Sequence, residues 1–312
     1  MFWRGERGSQ SGRRGPSLGY YEPMTALRHI IVATDFTEAA GHAAHRAALL
    51  AQQSGATLTL AHVTDDRIWH RLRAAISEPL SSETAARDAL EHQREALAKS
   101  HSIPVQAHEL TGAPAALLAA YAATVGADLL VAGRHGADDA ARLIIGSVAL
   151  GLVRVAPCPV LLPRDRPQRP YRAIAIGVDF SEASARITRR VHQWFERTPL
   201  HLVHAYPLPL TPLTGRGLAT ADQVAGWKAA MKADAQRGLD AFARDCGLAE
   251  PVHRHAVEGN AADLLLATAA QAGADLIVVG RHTGSRTGEI VVGSTTQSVL
   301  YLASRDVLVA PV

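Results

Sequence analysis

The chain writes one unit twice, and no other property of its 312 residues narrows the fold as much. Residues 111–135, TGAPAALLAAYAATVGADLLVAGRH, align without a gap on 258–282, EGNAADLLLATAAQAGADLIVVGRH. Over 110–136 against 257–283, 15 of 27 positions are identical. Alanine richness does not account for this, because Gly112/Gly259, Asp128/Asp275 and both Gly-Arg-His triplets match. Upstream, HIIVATDFTEA (29–39) pairs with AIAIGVDFSEA (173–183) at an offset of 144 rather than 147, so the second copy carries three extra residues in between. A chain of this length holds two domains of ordinary size, and the duplication predicts that they share one fold.

Each copy alternates short β-rich runs with longer helical stretches, the pattern of a parallel sheet covered by helices. Strands are expected near 29–34, 57–63, 103–109, 128–133 and 158–162, with helices near 38–54, 82–100, 113–126 and 147–155. The second copy places strands near 172–178, 199–205, 251–257, 275–280 and 306–310. Runs such as LLVAG and LIVVG are apolar throughout, as in strands covered on both faces. Crossovers are expected to be right-handed. The proline-rich stretch PRDRPQRP (163–170) separates the copies, giving domains at 24–163 and 171–312 and a linker at 164–170. Residues 1–23, rich in Gly, Ser and Arg, read as a flexible tail, with Met24 as a natural start. The segments 64–81 and 207–220 follow the second strand of each copy and are candidate lids or interface loops.

Charge and composition exclude several classes. Hydrophobic content of 47% and charged content of 20% suit a globular chain. Of the net +3, residues 1–23 contribute +2 (four Arg against two Glu), which leaves +1 for the rest. A nucleic-acid binder carries a basic stripe on its folded part, and none is present here. Cys158 and Cys246, one per half, suit a reducing compartment, with no zinc-type spacing. The start lacks the apolar core of a secretory signal. The uncharged run Leu110–Ala127 contains Gly112 and Pro114 and reads as a strand end plus a helix rather than a membrane span. A cytoplasmic protein with no membrane contact is expected.

The stretch GRHGADDAARLIIGS (133–147) leaves a buried strand at Gly133, expected as its last residue. Gly133 and Gly136 allow positive φ or close backbone approach. Gly146 and Ser147 open the next helix, whose free N–H groups and dipole favour an anion. Ser147 adds a hydroxyl or caps that helix. Arg134 either meets phosphate oxygens or points to solvent. Tight turns and a helix start are the plain alternative for the whole loop. There is no GxxxxGK[ST] sequence, so a Walker-type phosphate loop is excluded. The second copy reads Gly280-x2-Thr283-x9-Gly293-Ser294, with a stiff threonine where the first has Gly136.

The spacing Gly133-x2-Gly136-x9-Gly146-Ser147, together with the VATDFT and IGVDFS strand ends, resembles the universal stress proteins of the UspA type in their tandem form, from about residue 27 to the end. The resemblance implies an α/β fold of two open parallel-sheet domains, adenine nucleotide alpha hydrolase-like, with strand order 3-2-1-4-5 and the nucleotide between strands 1 and 4. It implies ATP, with or without Mg²⁺, held in domain 1 by Asp35, Val63, Gly133, Arg134, Gly136, Gly146, Ser147 and Val148. In domain 2 the matching positions are Asp179, Gly280, Gly293 and Ser294, with Ala205 in the place of Val63 and Thr283 marking a degenerate site. It also implies an intramolecular pseudo-dimer in which the last strands of the two copies meet, with further association of two chains open.

Fifteen histidines invite metal or catalytic readings, and His62/His204 and His135/His282 recur in the two copies. Recurrence shows shared ancestry rather than chemistry. Neither HExxH nor G-x-S-x-G is present. Asp138 and Asp139 read as solvated loop charges before Mg²⁺ ligands. A non-enzymatic, nucleotide-dependent stress regulator is expected, with any ATPase activity incidental. The rival classes are a module for an apolar or lipid-like ligand with vestigial nucleotide sites, and a slow ATP hydrolase or nucleotidyl-transfer enzyme.

Overall fold

Fully apolar runs form the sheet, and alanine-rich stretches with one polar side form the helices that cover it. The structure is a computed structural model and describes residues 26–64, 82–135, 145–206, 220–248, 251–281 and 292–311. In chain order the first copy gives β1 (His29–Thr34), α1 (Glu38–Ser54), β2 (Thr57–Thr64), α2 (Ser82–His101), β3 (Val105–Thr111), α3 (Pro114–Val125), β4 (Leu129–Val131), α4 (Ser147–Val155) and β5 (Val160–Leu162). The second gives β6 (Ile174–Gly177), α5 (Glu182–Trp194), β7 (Leu200–Tyr206), α6 (Ala221–Asp245), β8 (Val252–Glu258), α7 (Ala261–Gln271), β9 (Leu276–Gly280), α8 (Ser294–Leu302) and β10 (Asp306–Ala310). The candidate lids at 65–81 and 207–219 lie outside the described residues.

All ten strands form one sheet in the order β3-β2-β1-β4-β5-β10-β9-β6-β7-β8. Each half is therefore 3-2-1-4-5, as expected, and pairing within each half is parallel. The halves meet through β5 and β10, which pair antiparallel with Leu162 opposite Val307 and Val160 opposite Val309. The last strands of the two copies thus join, as the family resemblance implied.

Two apolar layers sandwich the sheet. Ile30, Leu58, Leu60 and Ile174 pack on the face covered by α1, α2, α5 and α6. Ile31, Leu130, Leu152 and Ile277 pack on the face covered by α3, α4, α7 and α8. Alternate residues of β1 thus enter opposite layers, the period-2 rule of a doubly covered strand. Each such side chain removed from water contributes about 1.5–3 kcal/mol.

Several of the duplicated identities turn out to be fold determinants. Gly112 and Gly259 sit at φ 139° and 136°, where only glycine is comfortable. Asp128 accepts from the backbone N–H of Arg28 and His29, at 2.8 and 3.0 Å, which pins the entry to β1. Asp275 repeats this on Arg172 at the entry to β6, at 3.0 Å. The linker is also anchored. Asp306 accepts from the Arg164 backbone N–H, the Tyr171 hydroxyl and Arg46 Nε, at 2.8, 2.7 and 3.0 Å.

Candidate functional site

In each half the strand order reverses between strand 1 and its two neighbours, which opens a crevice beyond the carboxyl ends of β1 and β4, or β6 and β9. Asp35 stands at the mouth of the first crevice, directly after β1. Its Oδ1 accepts from the Thr37 backbone N–H and hydroxyl, at 3.1 and 2.5 Å. Thr37 in turn caps α1 by accepting from the Ala40 N–H at 3.3 Å. Asp179 does the same with Ser181, at 3.0 and 2.6 Å, and Ser181 caps α5. The aspartate and the hydroxyl residue therefore form one capping device and do not compete for the role.

Between each pair lies a residue whose importance the sequence did not announce. Phe36 and Phe180 adopt φ 64° and 63°, a strained conformation for a bulky side chain. Both rings remain partly exposed and lie against the recurring histidines. Phe36 is 4.5 Å from His62 between ring centroids, and Phe180 stacks on His204 at 4.0 Å. Each histidine donates from Nδ1 to a backbone carbonyl at the end of the first strand: His62 to Thr34, the last residue of β1, and His204 to Val178, the residue after β6, both at 2.9 Å. That bond places the proton on Nδ1 of the neutral ring and directs Nε2 elsewhere. The paired recurrence of Phe and His was the available signal, though it could not show that the two residues touch.

Gly133 lies beyond β4 instead of ending it, and its φ is not positive. Its requirement is space. A Cβ there would stand 2.9 Å from the Ala40 nitrogen and 3.0 Å from the Ala39 carbonyl carbon, both backbone atoms of α1. At Gly280 a Cβ would meet nothing within 4 Å. The first copy is thus tight at this glycine where the second is open.

Gly146 is the N-cap of α4 and offers no side chain, so Ser147 is the first helical residue and not the cap. Gly293 stands likewise before Ser294 on α8. The first N–H groups of both helices, including those of Val148 and Thr295, are left without a capping side chain, the condition for anion binding at a helix start. Gly136, Asp138, Asp139, Thr283 and Gly284 lie outside the described residues.

Arg134 takes neither of the two expected courses, phosphate or solvent. Its side chain is buried, and it donates from Nη1 to the Ala303 carbonyl at 2.9 Å and from Nη2 to the Leu300 carbonyl. Leu300 lies in the last turn of α8 and Ala303 is its C-cap, both in the other domain. Arg281 mirrors it, donating from Nη1 to the carbonyls of Val153, Arg154 and Ala156 at 3.2, 2.7 and 3.1 Å, at the end of α4. Burial pulls the Arg134 guanidinium down to about 10, still a cation at neutral pH.

The second crevice is a cavity of about 490 Å³, within the range of small-molecule sites. Asp179, Ser184, His204, Ala205, Gly280 and Ser294 are among its lining residues. Thr296 donates its hydroxyl to the Gly280 carbonyl at 2.7 Å and so ties α8 to the end of β9. Val63, the first-domain counterpart of Ala205, is half-buried near the end of β2. Among the described residues no group of three or more His, Cys, Asp or Glu is arranged to hold a metal, and no helix is long and apolar enough to cross a membrane.

The family model described as the universal stress protein family matches this chain twice, at residues 26–164 and 170–311. The chain belongs to the universal stress protein family. A universal stress protein of Staphylococcus epidermidis is 30% identical over 145 residues, 45% of this chain and 86% of that protein. One from Staphylococcus haemolyticus is 28% identical over the same length, covering 45% and 87%. Among solved structures, a universal stress protein from Archaeoglobus fulgidus is 16% identical, with a TM-score of 0.61 over 92% of this chain and 99% of that one. A protein of unknown function from Pseudomonas aeruginosa is 20% identical, with a TM-score of 0.64 over 92% and 94%. At these identities the structures speak for the shared tandem fold alone. In this tandem universal stress protein the two crevices are equivalent in topology and differ in the space around Gly133 and Gly280.

Proposed function

We propose that this universal stress protein binds an adenine nucleotide, ATP with or without Mg²⁺, in the first-domain crevice, and acts as a nucleotide-dependent regulator rather than an enzyme. The observation that supports the reading is that Asp35 follows β1 and the uncapped helix start Gly146-Ser147-Val148 follows β4, the two strands that flank the switch point, while in domain 2 the matching Asp179, Gly293 and Ser294 line one cavity. An aspartate suits hydroxyl donors such as those of a ribose, and free helix N–H groups suit phosphate. With Arg134 committed to the other domain, phosphate is held by backbone N–H groups and the Ser147 hydroxyl. The setting proposed is the cytoplasm, in keeping with two buried free thiols whose pKa burial pushes up to about 12 at Cys158 and about 11 at Cys246.

The open second crevice favours a second reading, in which domain 2 also takes a ligand of this class. Calorimetric titration of ATP·Mg²⁺ into nucleotide-stripped full-length protein separates these possibilities. One site lost in Asp35→Ala and Gly136→Thr supports the first domain as the site. Two sites, one lost in Asp35→Ala and the other in Asp179→Ala, support binding in both. No heat at all rejects the nucleotide reading and moves the weight to an apolar ligand in the 490 Å³ cavity.

A further inference from the structure

The two buried arginines link parts of the molecule that no local motif would connect. Arg134 accepts at its backbone carbonyl from the Gly146 N–H at 2.9 Å, which fixes the start of α4 in its own domain. Its side chain meanwhile holds the end of α8 in the other. Arg281 follows Gly280, whose carbonyl is tied to α8 through Thr296, and its side chain holds the end of α4. The acceptors are equivalent under the 147-residue offset, Val153 with Leu300 and Ala156 with Ala303. The arrangement is therefore reciprocal and belongs to both copies. A guanidinium at a helix C-terminus satisfies carbonyls that the helix itself cannot, and stabilises the negative end of its dipole.

Helices α4 and α8 are the same helices whose uncapped starts, Ser147 and Ser294, follow the strands at the switch points, with Ser294 lining the second crevice. Nine residues make each about 13 Å long, short enough to move as one rigid rod. We propose that Arg134 and Arg281 are positioning residues for the opposite cleft: each domain's arginine sets where the other domain's anion-binding helix starts, and so sets that cleft's affinity. The proposal rests on the nucleotide reading given above. Its consequence is linkage, because a ligand that draws one helix start toward itself pulls on the arginine of the other domain's loop, and equilibrium coupling is reciprocal.

Hydrogen–deuterium exchange of the full chain across an ATP·Mg²⁺ titration reads the two clefts separately, at residues 145–150 and 292–298. Arg281→Gln lies in domain 2, yet the expected result is a rise of about fivefold or more in the ATP midpoint at 145–150, in domain 1. Arg281→Lys, which keeps the charge on a shorter side chain that reaches the carbonyls less well, is expected to shift it less in the same direction, and it serves if the glutamine variant does not fold. Tyr171→Phe, which weakens the domain junction without touching either helix end, is expected to leave the midpoint within about twofold. A midpoint at 145–150 unmoved in both Arg281 variants overturns the proposal, as does an equal shift in Tyr171→Phe. Absence of ATP protection at both segments in the unaltered protein defeats the nucleotide reading itself and takes the coupling with it.

Discussion

Arg46 Nε donates to Asp306 Oδ2 at 3.0 Å, a bond that joins α1 of the first domain to the opening residue of β10 in the second. Both side chains are buried, and the guanidinium lies 4.1 Å from the Tyr171 ring centroid. Burial outweighs the attraction of Arg46 and holds the Asp306 carboxyl above its ordinary range. Removing one partner of such a pair strands the other charge, at a cost of about 3–5 kcal/mol. Asp306→Leu and Arg46→Met are each expected to lose about that much stability, while the two together lose clearly less than the sum of the single changes. Chemical denaturation of the three variants closes the cycle; strict additivity would contradict the pairing.

A second expectation concerns the asymmetry of the glycines. Gly133→Ala drives a methyl into the backbone of α1 and is expected to cost about 1–3 kcal/mol. Gly280→Ala enters open space and is expected to stay within about 0.5 kcal/mol of the unaltered protein. Equal melting temperatures for the two variants would show that the first crevice relaxes freely.

Much of this was legible beforehand, and the reasons are local. Apolar strands that alternate with helical stretches fix the layers, and the helix expected over 38–54 is found at those residues. Asp35, Gly146 and Ser147 were assigned to one crevice through the family resemblance that their motifs carry, and the strand order puts them after β1 and β4. Arg134 was misjudged because its partners, Leu300 and Ala303, are more than 160 positions away and offer only backbone carbonyls, which leave no trace in a side-chain pattern. The same blindness hid the contact of Phe36 with His62. The tightness at Gly133 depends on where α1 docks, a property of packing and not of the residue.

Acid should loosen the edge of domain 2. His201 Nδ1 stands 3.1 Å from His255 Nε2, and its ring stacks on His253 at 4.5 Å. Burial and then the neighbouring imidazoles lower its pKa to about 4 and lower that of His255 as well. Above pH about 6.5 these rings are neutral in folded and unfolded chains alike, so nothing is lost. Below it the unfolded chain takes up protons that the folded His201 refuses until about pH 4, so stability falls across that window. His201→Gln is expected to flatten the decline of melting temperature between pH 6.5 and 4. A slope unchanged from the unaltered protein would count against the cluster as its source.

Two helical glycines of α6 should answer alanine differently. At Gly226 a Cβ meets nothing within 4 Å, and the substitution is expected to add about 0.5–1 kcal/mol of stability. At Gly238 the Cβ would come within 2.9 Å of the Phe180 ring. The gain there is expected to vanish as the ring is pushed from His204. Thermal melts rank the pair, and an equal gain at both sites would mean that Phe180 moves at no cost.

The antiparallel seam between β5 and β10 has a consequence of stoichiometry. Because one chain supplies both sides, dilution cannot part the two crevices, and neither half can trade its partner for a separate single-domain relative. They are always made one to one. A change that suits only one of them is therefore never averaged over a symmetric pair, and the two can drift into different occupations while the seam keeps them permanently within reach of each other.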